Sequence, residues 1–112
     1  QRVVLASALA QTPQVLLLDE PTVYLDMKHQ LQFYEILANL NTAQHMTVIA
    51  VTHDINMASR HAGRMFAIRE GVIVTEGKST EVLTAEKLHE IFEITADIIE
   101  RPDGGRFVIP SP

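Results

Sequence analysis

The chain has 112 residues, 46% of them hydrophobic and 21% charged, with a formal net charge of −5 and no cysteine. That length allows one small domain, and no run reaches the roughly 18–20 apolar residues that cross a bilayer. Disulfides and thiolate metal sites are excluded, and the acidic balance weighs against a nucleic-acid-binding surface.

The chain opens at Gln1-Arg2-Val3-Val4, already inside a helical pattern and without an initiator Met or signal segment, from which a fragment is expected. Val4, Leu5, Ala8 and Leu9 stand at helical spacing and predict a helix over 1–11, ended by Thr12-Pro13. Val15-Leu16-Leu17-Leu18 then runs straight into Asp19-Glu20-Pro21. A short continuous apolar run predicts a strand over 14–19, buried on both faces of a parallel sheet. Asp19 and Glu20 would emerge at its carboxyl end, where open α/β sheets bind ligands. Neighbouring carboxylates there can divide labour, one holding a hydrated Mg²⁺ and the other taking a proton from an attacking water. An ordinary strand end followed by a turn would use the same three residues.

Asp26 precedes a predicted helix over 27–41 with Phe33, Ile36, Leu37 and Leu40 as its apolar stripe, which suits Asp26 to an N-cap. A loop over 41–45 leads to a second buried strand over 46–52. Strand, helix and strand make one βαβ crossover and therefore a parallel pair, which brings His53 beside Glu20. A neutral imidazole at that point can hydrogen-bond an anionic ligand and orient water; a capping or core histidine is the plainer alternative. Asp54 reads as the N-cap of a short helix over 55–61. His29, His45, His61 and His89 lack ligand-like spacing and carboxylate partners, so they are expected on the surface with no zinc site.

A hairpin follows, with strands over 64–69 and 72–76 about Glu70-Gly71, where glycine supplies a positive φ. Helices are predicted over 79–83 and 84–94, with Ser79 and Thr84 as caps and Leu88, Ile91 and Phe92 as an apolar face. Residues 96–100 and 107–109 read as a last antiparallel pair around Pro102-Asp103-Gly104-Gly105.

Taken together, L-L-L-D-E-P-T, Leu25-Asp26 and V-T-H-D at this order and spacing resemble the ATP-binding-cassette (ABC) ATPases. The resemblance implies an α/β fold: the C-terminal part of a P-loop NTPase, with a parallel βαβ core followed by an antiparallel hairpin and a helical and strand tail. It implies that 1–78 hold the Walker B, D-loop, switch-histidine and hairpin regions and that 79–112 are the tail. Gln1-Arg2-Val3 resemble the continuation of the LSGGQ signature, which would lie upstream with the adenine-stacking aromatic and the Q-loop. No G-x-x-x-x-G-K-[ST] occurs in the chain. By the resemblance, Asp19 supports Mg²⁺ through water, Glu20 polarises the attacking water, His53 contacts the γ-phosphate of ATP, and Asp26 acts at the interface with a second protomer. Val23-Tyr24 depart from the common S-A-L-D pattern, so the small polar residue for a Ser-mediated contact across that interface is missing at Val23, and Tyr24 is available to pack there instead. The tail, L-T-x-x-x-L-x-x-I-F and D-I-I-E-R-P-D-G-G-R-F-V-I-P, resembles the importers of ferric siderophores, haem and vitamin B12.

The expectation is an ATPase subunit on the cytoplasmic side of the membrane, working as a homodimer with permease subunits, reaching the substrate-binding protein only indirectly and binding no nucleic acid. The isolated chain is expected to be inactive and, with an open sheet edge, to self-associate. Rival readings are an ABC-type ATPase of DNA repair or cofactor assembly, and a non-catalytic module built from a cassette remnant.

Overall fold

The structure is a computed structural model that describes residues 14–111; the predicted helix over 1–11 lies outside them. The chain divides into two compact units, residues 1–53 and 54–112.

In the first unit, β1 (Val15–Asp19) and β2 (Thr47–Val51) pair in parallel, with Val15 opposite Thr47, Leu17 opposite Ile49 and Asp19 opposite Val51. Between them runs α1 (Met27–Ala43), capped by Asp26, which accepts the His29 backbone N–H at 2.9 Å. The helix continues two residues beyond the predicted end. Its last turn is closed by Gln44 N–H and Met46 N–H, both donating to Leu40 O. The Asn41 side chain donates to Met46 O at 2.8 Å, and His45 turns the chain at φ +54. Burial along α1 falls on Phe33, Tyr34, Leu37 and Leu40, with Leu16 and Met46 also buried in this unit. The predicted stripe had Ile36 where Tyr34 stands; Tyr34 meets Phe33 edge-to-face with ring centroids 6.2 Å apart.

Strand β1, predicted to be buried on both faces, is covered on one, and the predicted buried strand β2 is largely exposed. Leu16 is 5% exposed but Leu17, on the opposite face, is 72% exposed, and Val15, Ile49 and Val51 are exposed with it. Side chains alternate along a strand, and among the described residues only one face of this pair is covered.

The second unit begins with α2 (Ile55–His61), capped by Asp54, which accepts Met57 N–H at 3.0 Å. The hairpin β3 (Met65–Arg69) and β4 (Val72–Gly77) turns at Glu70 and Gly71, with φ +52 and +77. Two consecutive positive φ values are the signature of the type I′ turn, whose twist matches the strands it joins. Helices α3 (Ser79–Val82) and α4 (Ala85–Phe92) follow, then β5 (Thr95–Glu100) and β6 (Arg106–Ser111), paired antiparallel. The core of this unit gathers Ala67, Val82, Leu83, Leu88, Ile91, Ala96 and Val108. Phe92 stands outside it, exposed, where the sequence had put it on the apolar face.

Caps differ from expectation at one point. Thr84 does cap α4, its hydroxyl accepting Lys87 N–H at 3.2 Å. Ser79, however, lies inside α3; Lys78 takes the cap position, and its N–H is satisfied by Glu81 Oε1 reaching back 3.1 Å. The carboxylate three residues in does the work assigned to the hydroxyl. Gly77, at φ +144, leaves room for it, since a Cβ there would sit 3.1–3.2 Å from the Glu81 carboxylate.

Candidate carboxylate–imidazole site

Asp19 ends β1 opposite Val51 and is exposed. Glu20 follows with φ +48, in the left-handed region that residues with a side chain rarely adopt. It is held there from the main chain: Glu20 N–H donates to Val51 O at 2.8 Å, carrying the parallel ladder one step past the strand. His53 lies two residues beyond Val51 on the neighbouring chain segment. The two side chains meet, with His53 Nε2 3.3 Å from Glu20 Oε1.

Their surroundings differ. The imidazole is 95% exposed, which excludes a core histidine, whereas the Glu20 side chain is 32% exposed. Asp54, and not His53, supplies the helix cap. Glu20 Oε1 is shielded from solvent and makes no hydrogen bond among the described residues. The 3.3 Å approach to the ring is therefore a charge contact when the imidazole is protonated, not an aligned hydrogen bond. With Oε1 sheltered against the ring, it is the exposed part of the Glu20 side chain that can receive a donor from solvent or ligand.

Asp26 sits apart from that pair and is engaged with its own helix. Besides the His29 N–H, it lies 2.6 Å from His29 Nδ1. The His29 backbone bond, then the ring, hold its carboxyl below the ordinary value of 3.8. His29 thus does have a carboxylate partner, contrary to expectation, because N-cap and third helical position share a helix face.

Between Glu20 and Asp26 the chain turns through Val23 N–H to Glu20 O at 3.4 Å and Leu25 N–H to Thr22 O at 3.1 Å. Thr22 is buried, while Val23 and Tyr24 project outward. Sequence reasoning passed over Gln30, whose side-chain amide donates to Thr22 O at 3.3 Å and to Leu25 O at 3.1 Å. Its only signal was a long polar side chain one turn into a helix whose apolar stripe lies elsewhere.

Among the described residues no group of three or more His, Cys, Asp or Glu side chains could hold a metal ion by themselves. One exposed carboxylate at a strand end, with a second beside it, is nevertheless the donor set that suits Mg²⁺ arriving on phosphates with most of its waters retained.

No protein-family model matches the chain. Curated relatives do. The iron(3+)-hydroxamate import ATP-binding protein FhuC of Bacillus subtilis is 45% identical over 102 residues, covering 91% of this chain and 38% of that protein. The ferric enterobactin transport ATP-binding protein FepC of Escherichia coli is 42% identical over 111 residues, covering 98% of this chain and 41% of that protein. The chain thus spans about two fifths of the length of these relatives. An inward-facing ABC transporter of the metal-chelate type superposes with a TM-score of 0.84 at 26% identity, over 98% of this chain and 45% of that one. A dimeric ATP-binding cassette bound to ADP and Pi superposes with a TM-score of 0.64 at 40% identity, over 69% of this chain and 33% of that one.

Proposed function

We propose, from its similarity to the ATP-binding proteins of iron(3+)-hydroxamate and ferric enterobactin import, that this chain is the C-terminal part of an ABC importer ATPase. Residues 1–78 carry the Walker B, D-loop, switch-histidine and hairpin regions, and 79–112 the tail. The observation that carries this reading is the 3.3 Å approach of His53 to a sheltered Glu20 carboxylate at the carboxyl ends of two adjacent parallel strands.

Bound MgATP would supply the transferable phosphoryl group and the cation's charge. Asp19 offers its exposed carboxylate to the hydrated ion. Glu20 takes the proton of the attacking water on its carboxylate, which is partly open to solvent. His53 turns its free ring toward the γ-phosphate and orients that water. Asp26, fixed at the head of α1, serves the contact with a second copy of the cassette, in keeping with the dimeric cassette to which this chain is similar. The dimer would work on permease subunits at the cytoplasmic face of the membrane. The imported substrate is a metal chelate of the class that holds iron-siderophores, haem and vitamin B12. A phosphate loop is needed to complete the site, so residues 1–112 by themselves are inactive in this reading.

The test is Glu20→Gln in the whole subunit that contains this segment. ATP binding is expected to remain while turnover drops by about a thousandfold, as loss of a general base together with its water allows. Near-normal hydrolysis in that variant would rule out Glu20 as the base.

A further inference from the structure

The stretch joining Glu20 to Asp26 is short; Pro21 and Thr22 are buried at its start, and the two residues after them project outward. Tyr24 is 88% and Val23 58% exposed. Its internal bonds close two tight turns, one of them long at 3.4 Å. What fastens the stretch from outside is Gln30. Both hydrogens of its amide can be used, one toward Thr22 O and one toward Leu25 O, at 3.3 and 3.1 Å. The Gln30 backbone N–H donates to Asp26 O at 2.9 Å. One residue therefore ties down the start of the stretch, its end and the helix cap that follows.

We propose that Gln30 is a positioning residue that sets the spacing between Glu20 and Asp26. Resting on the reading of those two carboxylates as parts of an ATP site, the inference adds a residue whose effect on turnover runs through main-chain carbonyls and not through contact with nucleotide. The chemistry required is donation alone, because both partners are carbonyl oxygens. Lysine can meet that need on a stem one bond longer, leucine cannot, and glutamate turns acceptor against acceptor.

The experiment compares Q30L, Q30E and Q30K in the whole subunit, reading kcat, KM for ATP and amide hydrogen exchange at Val23 and Leu25. Loosening the stretch is expected to lower kcat roughly tenfold in Q30L and Q30E, since small misplacements of reacting groups are costly. KM for ATP should stay within about twofold, because no ground-state contact to nucleotide is removed. Exchange at Leu25 should quicken about tenfold in the same two variants, and Q30K should restore most of both readouts. Unchanged kcat in Q30L, a KM that rises in step with the loss, or Q30K as impaired as Q30L would each overturn the proposal. If the wild-type subunit shows no ATP turnover, the functional reading falls separately. Exchange then judges the clamp by itself, with unaltered protection at Leu25 in Q30L sinking it and faster exchange sustaining it.

Discussion

Glu20 occupies a left-handed backbone conformation, φ +48, that costs an L-residue on the order of 1–2 kcal/mol. The residue before a proline is biased toward extended conformations, so nothing in Asp19-Glu20-Pro21 announced this. The bond from its N–H to Val51 O holds it there, and strain of this kind is commonly stored where a side chain must be aimed. The identity of the carboxylates was legible in the sequence; the backbone twist that directs one of them was not. A different residue contributes to the response to mild acid. Burial, then the positive charges of Arg60 and Arg101, hold His61 below its ordinary value of 6.5. Between that lowered value and 6.5 the unfolded chain binds more protons than the folded one, so stability falls as pH drops through the window and levels off once the folded imidazole is charged. Thermal midpoints measured from about pH 7 to about pH 5 should decline in the wild type and decline less in H61Q. A variant with the same slope would assign the titration to another group.

Among the elements, α2 and β6 show how one covers the open edge of the other. Asn56 donates to Val108 O at 3.0 Å and accepts Val108 N–H at 2.7 Å. One helical turn on, Ser59 Oγ donates to Arg106 O at 2.7 Å and accepts Arg106 N–H at 3.3 Å. Two side chains three apart on the helix thus meet alternate residues of the strand and take the place of a neighbouring strand. Asn56→Leu should cost about 2–3 kcal/mol, because both backbone groups of the buried Val108 lose their partners. Urea denaturation is expected to show a lower midpoint with an unchanged slope; a loss under about 0.5 kcal/mol would mean that water replaces both bonds. Helix α2 was readable from its Asp54 cap, and the β3–β4 turn from Glu70-Gly71, since both signals are local. The pairing of Asn56 with Val108 was not, because no pattern in a single chain ties residues so far apart. The exchange of Ser79 for Glu81 at the α3 cap has a similar origin: two competent groups stood within one turn, and geometry chose between them.

At the scale of the molecule, apolar surface is left uncovered among the described residues. One face of the β1–β2 pair shows Val15, Leu17, Ile49 and Val51, and in the second unit Phe66, Ile68, Val72 and Ile73 are exposed on the β3–β4 hairpin. Val15-Leu16-Leu17-Leu18 reads as doubly buried because apolarity records the surroundings a strand is suited to, and a lone chain need not supply them. The 112-residue chain should therefore self-associate at concentrations where a monomer with mixed, charged surfaces would not. Static light scattering across a dilution series is expected to show mass rising with concentration, and L17K to suppress the rise; a constant monomeric mass in the wild type would refute this. The one-for-one register of β1 with β2 carries a last consequence. Deleting one residue from β2 ahead of Val51 would invert which side chains face α1 and in the same stroke draw the imidazole away from the carboxylate. Lineages carrying this segment should accept length changes in the turn at Glu70-Gly71 far more readily than anywhere between Thr47 and His53.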